Sequence, residues 1–471
     1  MLRSAPRLVA VGLGLVAAAS CGDEPADALA GDELRLPTGA ALSPDGAWLF
    51  VSNSNLDRRD AAGSLVALDV RALDEALAAP ADPGASFSAA TCRHSAVHPG
   101  VRECDAAALI DPARTLRLPT GAGNIIVDRP FADAPAWGSE GGVARLMVAS
   151  NVDRAITWID AEIDAAGALE LRCGQDLGGR CDDHHTLTHR FNDRDSTALP
   201  GDAARLRLSP AFRYAYLPHM TGSQMTLVDL RGAGGPEISD IEGDFYRTDP
   251  YAETEYAGGF AVAERPCDPA APSALSLSCT RPHLFTSHRF WPGLRQFTVA
   301  TGADVVLGRN DRGFIDTNAG VVDDLPYMAD LAFEDDAGER LLLVSTTPAA
   351  LLRVDASLDD EGEPRLEPIA TVGLCRDPNV LAVDRPPGGE ALAFVSCFAD
   401  DKVAVVELGA LRVVETLELG DGPNELVVDD ARRRLYVVET LGHAIAVVDL
   451  ERTSPRYLEV VARIAGGSGF F

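Results

Sequence analysis

The chain has 471 residues and a formal net charge of −30, with 71 acidic against 41 basic residues. This charge argues against a nucleic-acid partner, because such a partner requires a basic face that neutralises phosphate. It also disfavours docking on anionic lipid headgroups. Hydrophobic residues make up 46% of the chain, so general disorder is excluded.

The beginning of the chain has the features of an export signal. Two arginines precede an apolar stretch at 8–20, which is too short to span a membrane comfortably. The stretch ends in small residues before Cys21, and this ending resembles a bacterial lipobox. We therefore predict a lipoprotein signal peptide over 1–20 and a lipidated Cys21 with a polar tether over 21–35. Ordinary secretory cleavage nearby is the alternative.

One phrase repeats seven times after residue 40: a short apolar strand that ends at a polar residue and a loop. The copies are LFVSN (49–53), RLMVAS (145–150), YAYLPH (214–219), HLFTSH (283–288), LLLVST (341–346), AFVSC (393–397) and LYVVE (435–439). Most are followed by a further apolar strand that ends near Asp or Glu, such as AVVDL (446–450). Self-similarity of this kind, with four short strands per unit, is typical of β-propellers. Seven copies predict an all-β, seven-bladed β-propeller over 36–471.

Each blade is expected to contain four strands, the first lining the central channel and the fourth at the outer rim. Gly/Pro turns such as those in 37–46 and 420–430 lead into the first strand, and the repeated phrase is the second. The segment 457–467 is predicted to be the outer strand of the last blade. The ring would close with this strand alone, or with residues 32–36 added to it.

The repeated pattern resembles that of the YVTN repeat family of seven-bladed propellers. Its best copies are SPDGAWLFVSN (43–53) and the segment 422–450, and the Asn that ends the family motif stands at Asn53 and Asn151. The resemblance implies the fold of residues 36–471. It leaves the activity open, because members of this family serve as surface proteins, binding modules and cofactor-bearing enzymes.

Cysteine usage supports an oxidising compartment. Apart from Cys21, the cysteines fall in sequence-adjacent couples, for which nearest-neighbour disulfide pairing is the simplest hypothesis: Cys92 with Cys104, Cys173 with Cys181, Cys267 with Cys279, and Cys375 with Cys397. No spacing is CxxC or CxxCH, so thioredoxin-like redox chemistry and c-type haem attachment have no support.

Long insertions separate the repeats in blades one to three, and three of the cysteine couples lie inside them. Ordered loops of this kind often carry function. We therefore expect the insertions to form a recognition surface, and we expect deletion of 85–108 or 171–195 to leave the fold intact. The alternative is that the insertions only cover blade edges.

Candidate metal ligands follow from the places where the second strands end. His219, His288 and Glu439 end at one rim of the channel with the loop residue His443, and imidazole with carboxylate is a plausible set for Zn or Cu. The segment DDHHTLTH (182–189) is dense in metal-binding residue types but lacks the HExxH spacing. An exposed acidic loop is the alternative for this segment.

These observations predict an exported propeller that is attached to the membrane only through its lipid anchor. It would face the periplasm or the cell surface and bind an unknown protein, glycan or surface polymer without a covalent step. No cofactor is expected, although a metal ion at the channel rim stays open. The alternative function is a periplasmic propeller enzyme of the lactonase or cofactor-dependent oxidoreductase kind.

Overall fold

The computed structural model consists of seven small antiparallel sheets arranged as a seven-bladed β-propeller, which confirms the predicted fold class. The structure describes residues 31–79, 91–128, 137, 142–164, 167–176, 178–209, 213–246, 258–266, 282–289, 293–301, 305–309 and 327–466. The proposed signal peptide and Cys21 lie outside these residues.

The first four blades occupy the longer part of the chain. Their elements in chain order are β1 Pro37–Leu42, β2 Trp48–Asn53, β3 Gly63–Asp69, α1 Val70–Ala78, β4 Cys92–His94, β5 Arg102–Asp105, β6 Leu116–Leu118, β7 Ala122–Asp128, β8 Val143–Ser150, β9 Ala155–Ile163, β10 Leu169–Arg172, β11 Thr186–Leu187, β12 Arg207–Ser209, β13 Tyr214–Pro218, β14 Met225–Asp229, β15 Glu237–Glu242, β16 Gly259–Glu264, β17 Leu284–His288, β18 Gly293–Thr301 and β19 Val305–Arg309. Short 3₁₀ turns lie at Ala106–Ala108, Pro112–Arg114 and Arg190–Asn192.

The last three blades are close to minimal. Their strands are β20 Met328–Phe333, β21 Arg340–Ser345, β22 Ala350–Asp355, β23 Glu367–Gly373, β24 Pro378–Asp384, β25 Leu392–Cys397, β26 Lys402–Glu407, β27 Arg412–Glu418, β28 Pro423–Asp429, β29 Arg434–Glu439, β30 Ala444–Asp449 and β31 Val460–Ala465. Each sheet runs from the channel outward in chain order, with β1-β2-β3-β6 as blade one and β28-β29-β30-β31 as the inner part of blade seven.

The second strand of each blade is the repeated phrase of the sequence, and it is buried on both faces. In β2 and β25 every residue is buried. A strand in the middle of a blade packs against the neighbouring blade on either side, so it reads as a continuous apolar run and not as an alternation. This packing explains why the repeats are recognisable in the sequence.

The apolar core accordingly lies between adjacent blades. One cluster joins blades one and two through residues such as Trp48, Leu65 and Ile159. Another joins blades seven and one through Val51, Tyr436 and others. Each interface buries apolar surface at about 25 cal/mol per Å², so the ring is stabilised blade by blade.

The C-terminal strand β31 is the fourth strand of blade seven, as the sequence predicts. Residues 32–36 add no strand to it. Instead, the backbone N–H of Arg35 donates to Asn53 Oδ1 (2.9 Å) and that of Leu36 donates to His443 Nδ1 (2.9 Å). The N-terminal segment thereby lies across the junction of blades one and seven.

Residues 70–115, here called the first insertion, form part of the neighbouring blade. β5 pairs in parallel with β31, from Arg102 opposite Ala462 to Asp105 opposite Ala465, and β4 pairs with β5. Deletion of 85–108 would therefore remove two strands of blade seven, so the expectation that the fold stays intact gains no support, while a recognition role of these residues stays a prediction. These residues extend blade seven to six strands, because an unpaired edge strand is best satisfied by a further strand.

Helix α1 of the first insertion contacts blade seven through charged side chains. Asp69 caps the helix by accepting from the N–H groups of Arg71 and Ala72. On the helix, Asp74 accepts from Arg432 Nε (2.7 Å) and Arg434 Nη1 (2.5 Å). The first insertion thus closes the ring with a ladder of strands, an apolar cluster and ion pairs.

Residues 173–202, here called the second insertion, also contain a strand of their own blade. β11 pairs with β9 at Thr157 and Ile156, beyond the stretch of β9 that pairs with β10. Deletion of 171–195 would therefore remove part of the outer edge of blade two. Among the described residues, the backbone pairing of the second insertion with blade one is a single parallel bridge between Arg117 and Arg180, and its Cys173 and Cys181 pack in the apolar cluster between these blades.

Three of the four predicted disulfides are present: Cys92–Cys104, Cys173–Cys181 and Cys375–Cys397. Cys267 and Cys279 lie outside the described residues. Their segment connects β16 to β17, so the third long insertion belongs to blade four and not to blade three. Among the described residues, no helix has the length and apolar character needed to cross a membrane.

Candidate functional site

The innermost strands share an irregularity where they enter the channel. In six blades the pairing with the second strand shifts there, as between Ala122 and Ile125 in blade two. In blade three, the bridge from Ala203 to His219 followed by the pair Arg207–Tyr216 leaves the same extra residue. A bulge of this kind re-aims a side chain. The second bulge residues in the seven blades are Gly39, Asn124, Arg205, Ala261, Asp330, Val380 and Glu425.

Charged bulge residues meet across the channel. The Arg205 guanidinium of blade three donates to both oxygens of Glu425 in blade seven (2.9 and 2.6 Å). Blades three and seven are not neighbours, so this contact spans the channel. Asp330 of blade five accepts from Arg207 Nη2 (2.6 and 2.8 Å) and from the N–H of Leu381 (3.1 Å), with Arg205 Nε at 3.6 Å.

The centre of this ion cluster is buried, and the charged forms of Asp330 and Arg205 stabilise each other. Asp330 is 0% exposed, and burial alone would raise its pKa, but the Arg207 and Arg205 guanidiniums hold the pKa below its usual range. Burial likewise opposes the charge on Arg205, while Glu425 and Asp330 raise the pKa of Arg205 above its ordinary value. Two cations and two anions balance each other, so the cluster closes the channel without a net charge. Loss of one partner would leave a buried charge uncompensated at a cost of about 3–5 kcal/mol.

A hollow of about 310 Å³ lies at the mouth of the channel beside this cluster. Its lining comes from the first residues of the innermost strands and from residues that follow the second strands. They are Thr38, Leu56, Gly121, Ala122, Gly123, Asn124, Asn151, Ala203, Ala204, Arg205, Met220, Phe260, Arg289, Asp377, Asn379, Phe398 and Asn424. The lining therefore combines amides, aromatic rings, the guanidiniums of Arg205 and Arg289 and the carboxylate of Asp377.

The amides form a partial ring around the hollow. Asn379 Nδ2 donates to Asn424 Oδ1 (2.9 Å), and Asn424 Nδ2 donates to the carbonyl of Thr38 (3.3 Å). Each amide nitrogen carries two hydrogens, so each retains one beyond these bonds. Asn151 Oδ1 is buried and has no hydrogen-bond partner among the described residues. These groups are placed to bind a polar ligand.

Two arginines line the channel mouth, and Arg289 is the one that has no ion pair among the described residues. Its Cζ lies 5.7 Å from the ring centroids of Phe260 and of Tyr327. Burial lowers the pKa of Arg289, partly offset by Tyr327 and Asp377. The side chain is half-buried, so an anion in the hollow would meet a guanidinium that water solvates incompletely.

The predicted metal ligands His219 and His288 have hydrogen-bond partners close by in the fold. His219 is bonded through Nδ1 to the carbonyl of Gly201 (2.8 Å) and through Nε2 to Thr226 Oγ1 (2.9 Å). His288 Nε2 is bonded to the carbonyl of Tyr246 (2.7 Å). In the part of the chain that the structure describes, no three His, Cys, Asp or Glu side chains are grouped to hold a metal ion. A shared metal ion gains no support from this placement.

Glu439 and His443 also have partners near the junction of blades seven and one. Glu439 accepts from Arg463 Nε (2.7 Å) and from the N–H of Gly420 (2.6 Å). Burial raises the pKa of Glu439 although Arg463 opposes this. His443 accepts from Leu36, and burial together with Arg35 lowers its pKa. Both residues therefore connect backbone segments of the junction.

The histidine-rich segment 182–189 belongs to the second insertion, where its contacts position the loop. His185 Nδ1 lies 2.6 Å from Asp182 Oδ1, and the His185 ring lies 3.9 Å from the Trp158 ring, centroid to centroid. Trp158 Nε1 donates to the carbonyl of His184 (3.1 Å). These contacts agree with the alternative interpretation of this segment as an exposed acidic loop.

Comparisons with known proteins support the fold. No protein-family model and no curated protein matches the chain. Among solved structures, hydrazine synthase of Kuenenia stuttgartiensis is similar, with a TM-score of 0.51 and 12% identity, over 88% of this chain and 96% of that chain. The periplasmic gluconolactonase PpgL of Pseudomonas aeruginosa has a TM-score of 0.46 and 13% identity, over 83% and 87% of the two chains.

Another similar structure is the dihydro-heme d1 dehydrogenase NirN, in complex with DHE, at a TM-score of 0.43 and 14% identity. The match covers 75% of this chain and 59% of that one. Identities this low show a shared propeller fold and carry no activity across. Membership of the YVTN repeat family stays a prediction.

Reasoning from the sequence missed the residues at the channel mouth. Arg205, Asp330 and Glu425 are the third residues of AAR, MAD and PNE, at the start of three innermost strands. An alignment of the seven repeats at these segments would have placed the three charges at equivalent positions, and therefore at the same height along the channel. Arg289 directly follows His288 and offers no comparable signal, since its role depends on the rings that surround it.

Proposed function

We propose that this protein is an exported, lipid-anchored binding module whose ligand enters the mouth of the central channel. The ligand class we infer is a carbohydrate that carries a carboxylate. The observation that carries this proposal is the hollow itself, in which Arg289 has no ion pair and Asn151 Oδ1 has no hydrogen-bond partner among the described residues. Amides and aromatic rings suit sugar hydroxyls and sugar faces, and a guanidinium suits a carboxylate.

Export is supported by the three disulfides, because such bonds persist in oxidising compartments. Anchoring through Cys21 rests on the lipobox-like sequence. Its test is cell fractionation. The unsubstituted protein is expected in the membrane fraction and the Cys21→Ser variant in the soluble fraction, whereas an equal distribution would contradict the anchor.

The binding proposal is tested by titration calorimetry with glucuronate and glucose as probes. Glucuronate is expected to bind at least ten-fold more tightly than glucose. Arg289→Gln should remove that preference while Arg365→Gln, at an exposed arginine of blade five, should leave it unchanged. Equal affinity for both probes, or a preference that survives Arg289→Gln, would refute the proposal.

The same titration separates binding from catalysis. A binding module returns glucuronate unchanged, which NMR of the recovered sugar would show. Conversion of the sugar would favour the alternative of a propeller enzyme. Elemental analysis of the purified protein addresses the metal ion at His219 and His288 independently of the sugar.

A further inference from the structure

A groove separate from the channel mouth lies between blades one and two. Its walls are strand β6 of blade one and the loop closed by Cys173–Cys181 in the second insertion. The backbone N–H of Arg117 donates to the carbonyl of Gly179 (2.8 Å), and Arg117 and Arg180 lie opposite each other in a parallel bridge. Opposed residues of paired strands project to the same face, so two guanidiniums flank this groove.

Neither guanidinium has a carboxylate within 4 Å in the part of the chain that the structure describes. This is unusual in a chain with 71 acidic residues. Arg172, in the strand that leads into the same loop, is paired with Glu162 (2.9 Å) and Glu170 (2.5 Å). Like charges directly opposite each other are destabilising. An unneutralised pair is therefore expected where an anion is to be bound.

The nearest acidic group does not neutralise the pair. Asp176 Oδ1 accepts from the backbone N–H groups of Gly178 (2.8 Å) and Arg180 (3.1 Å). The hydrogen bond from Arg180 N–H, with smaller contributions from the Arg180 and Arg117 charges, lowers the pKa of Asp176. Asp176 thus holds the loop in shape and forms no ion pair with Arg117, which is half-buried, or with Arg180, which is exposed.

The rest of the groove fits a small oxyanion. Its volume is about 250 Å³, and beside the arginines it is lined by the hydroxyl-bearing Thr186 and Thr188 and by small residues such as Ala61. Guanidinium and hydroxyl groups together are the usual donors to phosphate oxygens. Two carboxylates, those of Asp153 and Asp183, also line the groove.

Asp183 is paired with Arg194 (2.6 Å), so its charge is offset. Asp153 Oδ2 accepts from the N–H of Thr120 (2.6 Å), which leaves its other oxygen as an acceptor. An anion that carries a proton can donate to such an oxygen, whereas an anion without a proton is only repelled. Hydrogen phosphate keeps a proton near neutral pH and sulfate has none, while a phosphate monoester, whose second pKa is about 6, keeps its proton to a large extent only near or below pH 6.

We propose that the groove between blades one and two binds a phosphate group through Arg117 and Arg180, and that it discriminates against sulfate. The site is independent of the channel mouth. Because Arg180 lies in the loop closed by Cys173–Cys181, the proposed site would give the second insertion part of the recognition role that the sequence predicts.

The test is titration of the purified protein with inorganic phosphate, glycerol 1-phosphate and inorganic sulfate at constant ionic strength. We expect millimolar or tighter phosphate binding, at least five-fold weaker sulfate binding, and at least five-fold weaker phosphate binding in both Arg117→Gln and Arg180→Gln. At pH 6, where much of the ester also keeps its proton, tighter binding of glycerol 1-phosphate than of phosphate would assign the site to an ester, and the reverse order to the free ion.

Arg172→Gln is the matched control, since it removes an exposed arginine of β10, directly before the second insertion, that already has carboxylate partners. The phosphate affinity of this variant should be unchanged. Arg289→Gln should also leave phosphate binding unchanged, and a loss there would place the anion at the channel mouth and overturn the proposal. Sulfate binding as tight as phosphate, or unchanged affinity in both groove variants, would overturn it as well. A thermal unfolding curve for each variant checks that the fold is retained.

Discussion

The first and second insertions look alike in the sequence and differ in the structure. Both are polar, long and closed by a local disulfide. The first insertion gives two strands and a helix to blade seven, and its side chains enter the apolar cluster between blades one and seven. The second insertion covers the edge of its own blade; it pairs with blade one at a single bridge and adds only its two cysteines to the apolar cluster between blades one and two.

The difference shows what decides whether an inserted loop is structural or available for ligands. The first insertion reaches a blade edge at the point where the ring must close. Its backbone therefore pairs with β31, and Asp74 forms ion pairs with Arg432 and Arg434. The second insertion meets a neighbour that already has its fourth strand, β6. Its arginine Arg180 therefore remains without an ion pair beside Arg117, within the described residues.

The largest effect expected from this comparison concerns the disulfides. Replacement of Cys92 and Cys104 by Ser should lower the free energy of unfolding by about 3 kcal/mol from loop entropy alone, and further through loosening of the pairing between β5 and β31. Chemical unfolding followed by fluorescence measures this loss.

The matched control is the double replacement of Cys173 and Cys181 by Ser. Its loop is of similar length, with a sequence separation of 8 against 12, so the loss of loop entropy is similar. The only pairing between blades that this variant can loosen, among the described residues, is the single bridge of Arg180 with Arg117, against four paired positions of β5 with β31 in the first. If the second pair costs as much as the first, the first insertion does not close the ring as we describe.

A smaller effect is expected from acid at His219, which bonds to Gly201 at the end of the second insertion. Burial lowers the pKa of His219 to about 4 from 6.5. The unfolded chain therefore binds a proton at a higher pH than the folded one, and the contribution to stability is present above pH 6.5 and is lost as the pH falls towards 4. Between pH 7 and pH 5 the loss is about 2 kcal/mol.

Urea unfolding at these two pH values measures the effect. His219→Gln should reduce the difference in stability between them, while His98→Gln, at an exposed histidine of the first insertion, should not. An identical pH dependence in all three proteins would contradict the assignment to His219.

The smallest effect concerns Asp74, which joins α1 of the first insertion to Arg432 and Arg434 of blade seven. These side chains are partly exposed, so Asp74→Asn should cost only about 1 kcal/mol. Asp111→Asn is the control, because Asp111 pairs with Arg114 inside the insertion and an Asn can still cap the following turn. A thermal unfolding comparison in which both variants behave alike would remove Asp74 from the ring closure.

The sequence by itself determined the fold and three cysteine pairings. The fold was readable because the second strand of every blade, such as β25, is buried on both faces and therefore leaves the same apolar run seven times. Cys92 with Cys104 and Cys173 with Cys181 were readable because each pair closes a loop within one insertion, and Cys375 with Cys397 because the pair closes a loop within one blade.

Only the tertiary structure decided which residues meet across the ring. Arg205, Asp330 and Glu425 lie far apart in the chain and come together because the bulges of blades three, five and seven point to one axis. His219 and Glu439 end equivalent strands, yet they do not meet: His219 bonds to Gly201 and Thr226, and Glu439 to Gly420 and Arg463. Local patterns fix what a strand buries, whereas contacts between blades depend on the circular arrangement, which no local pattern contains.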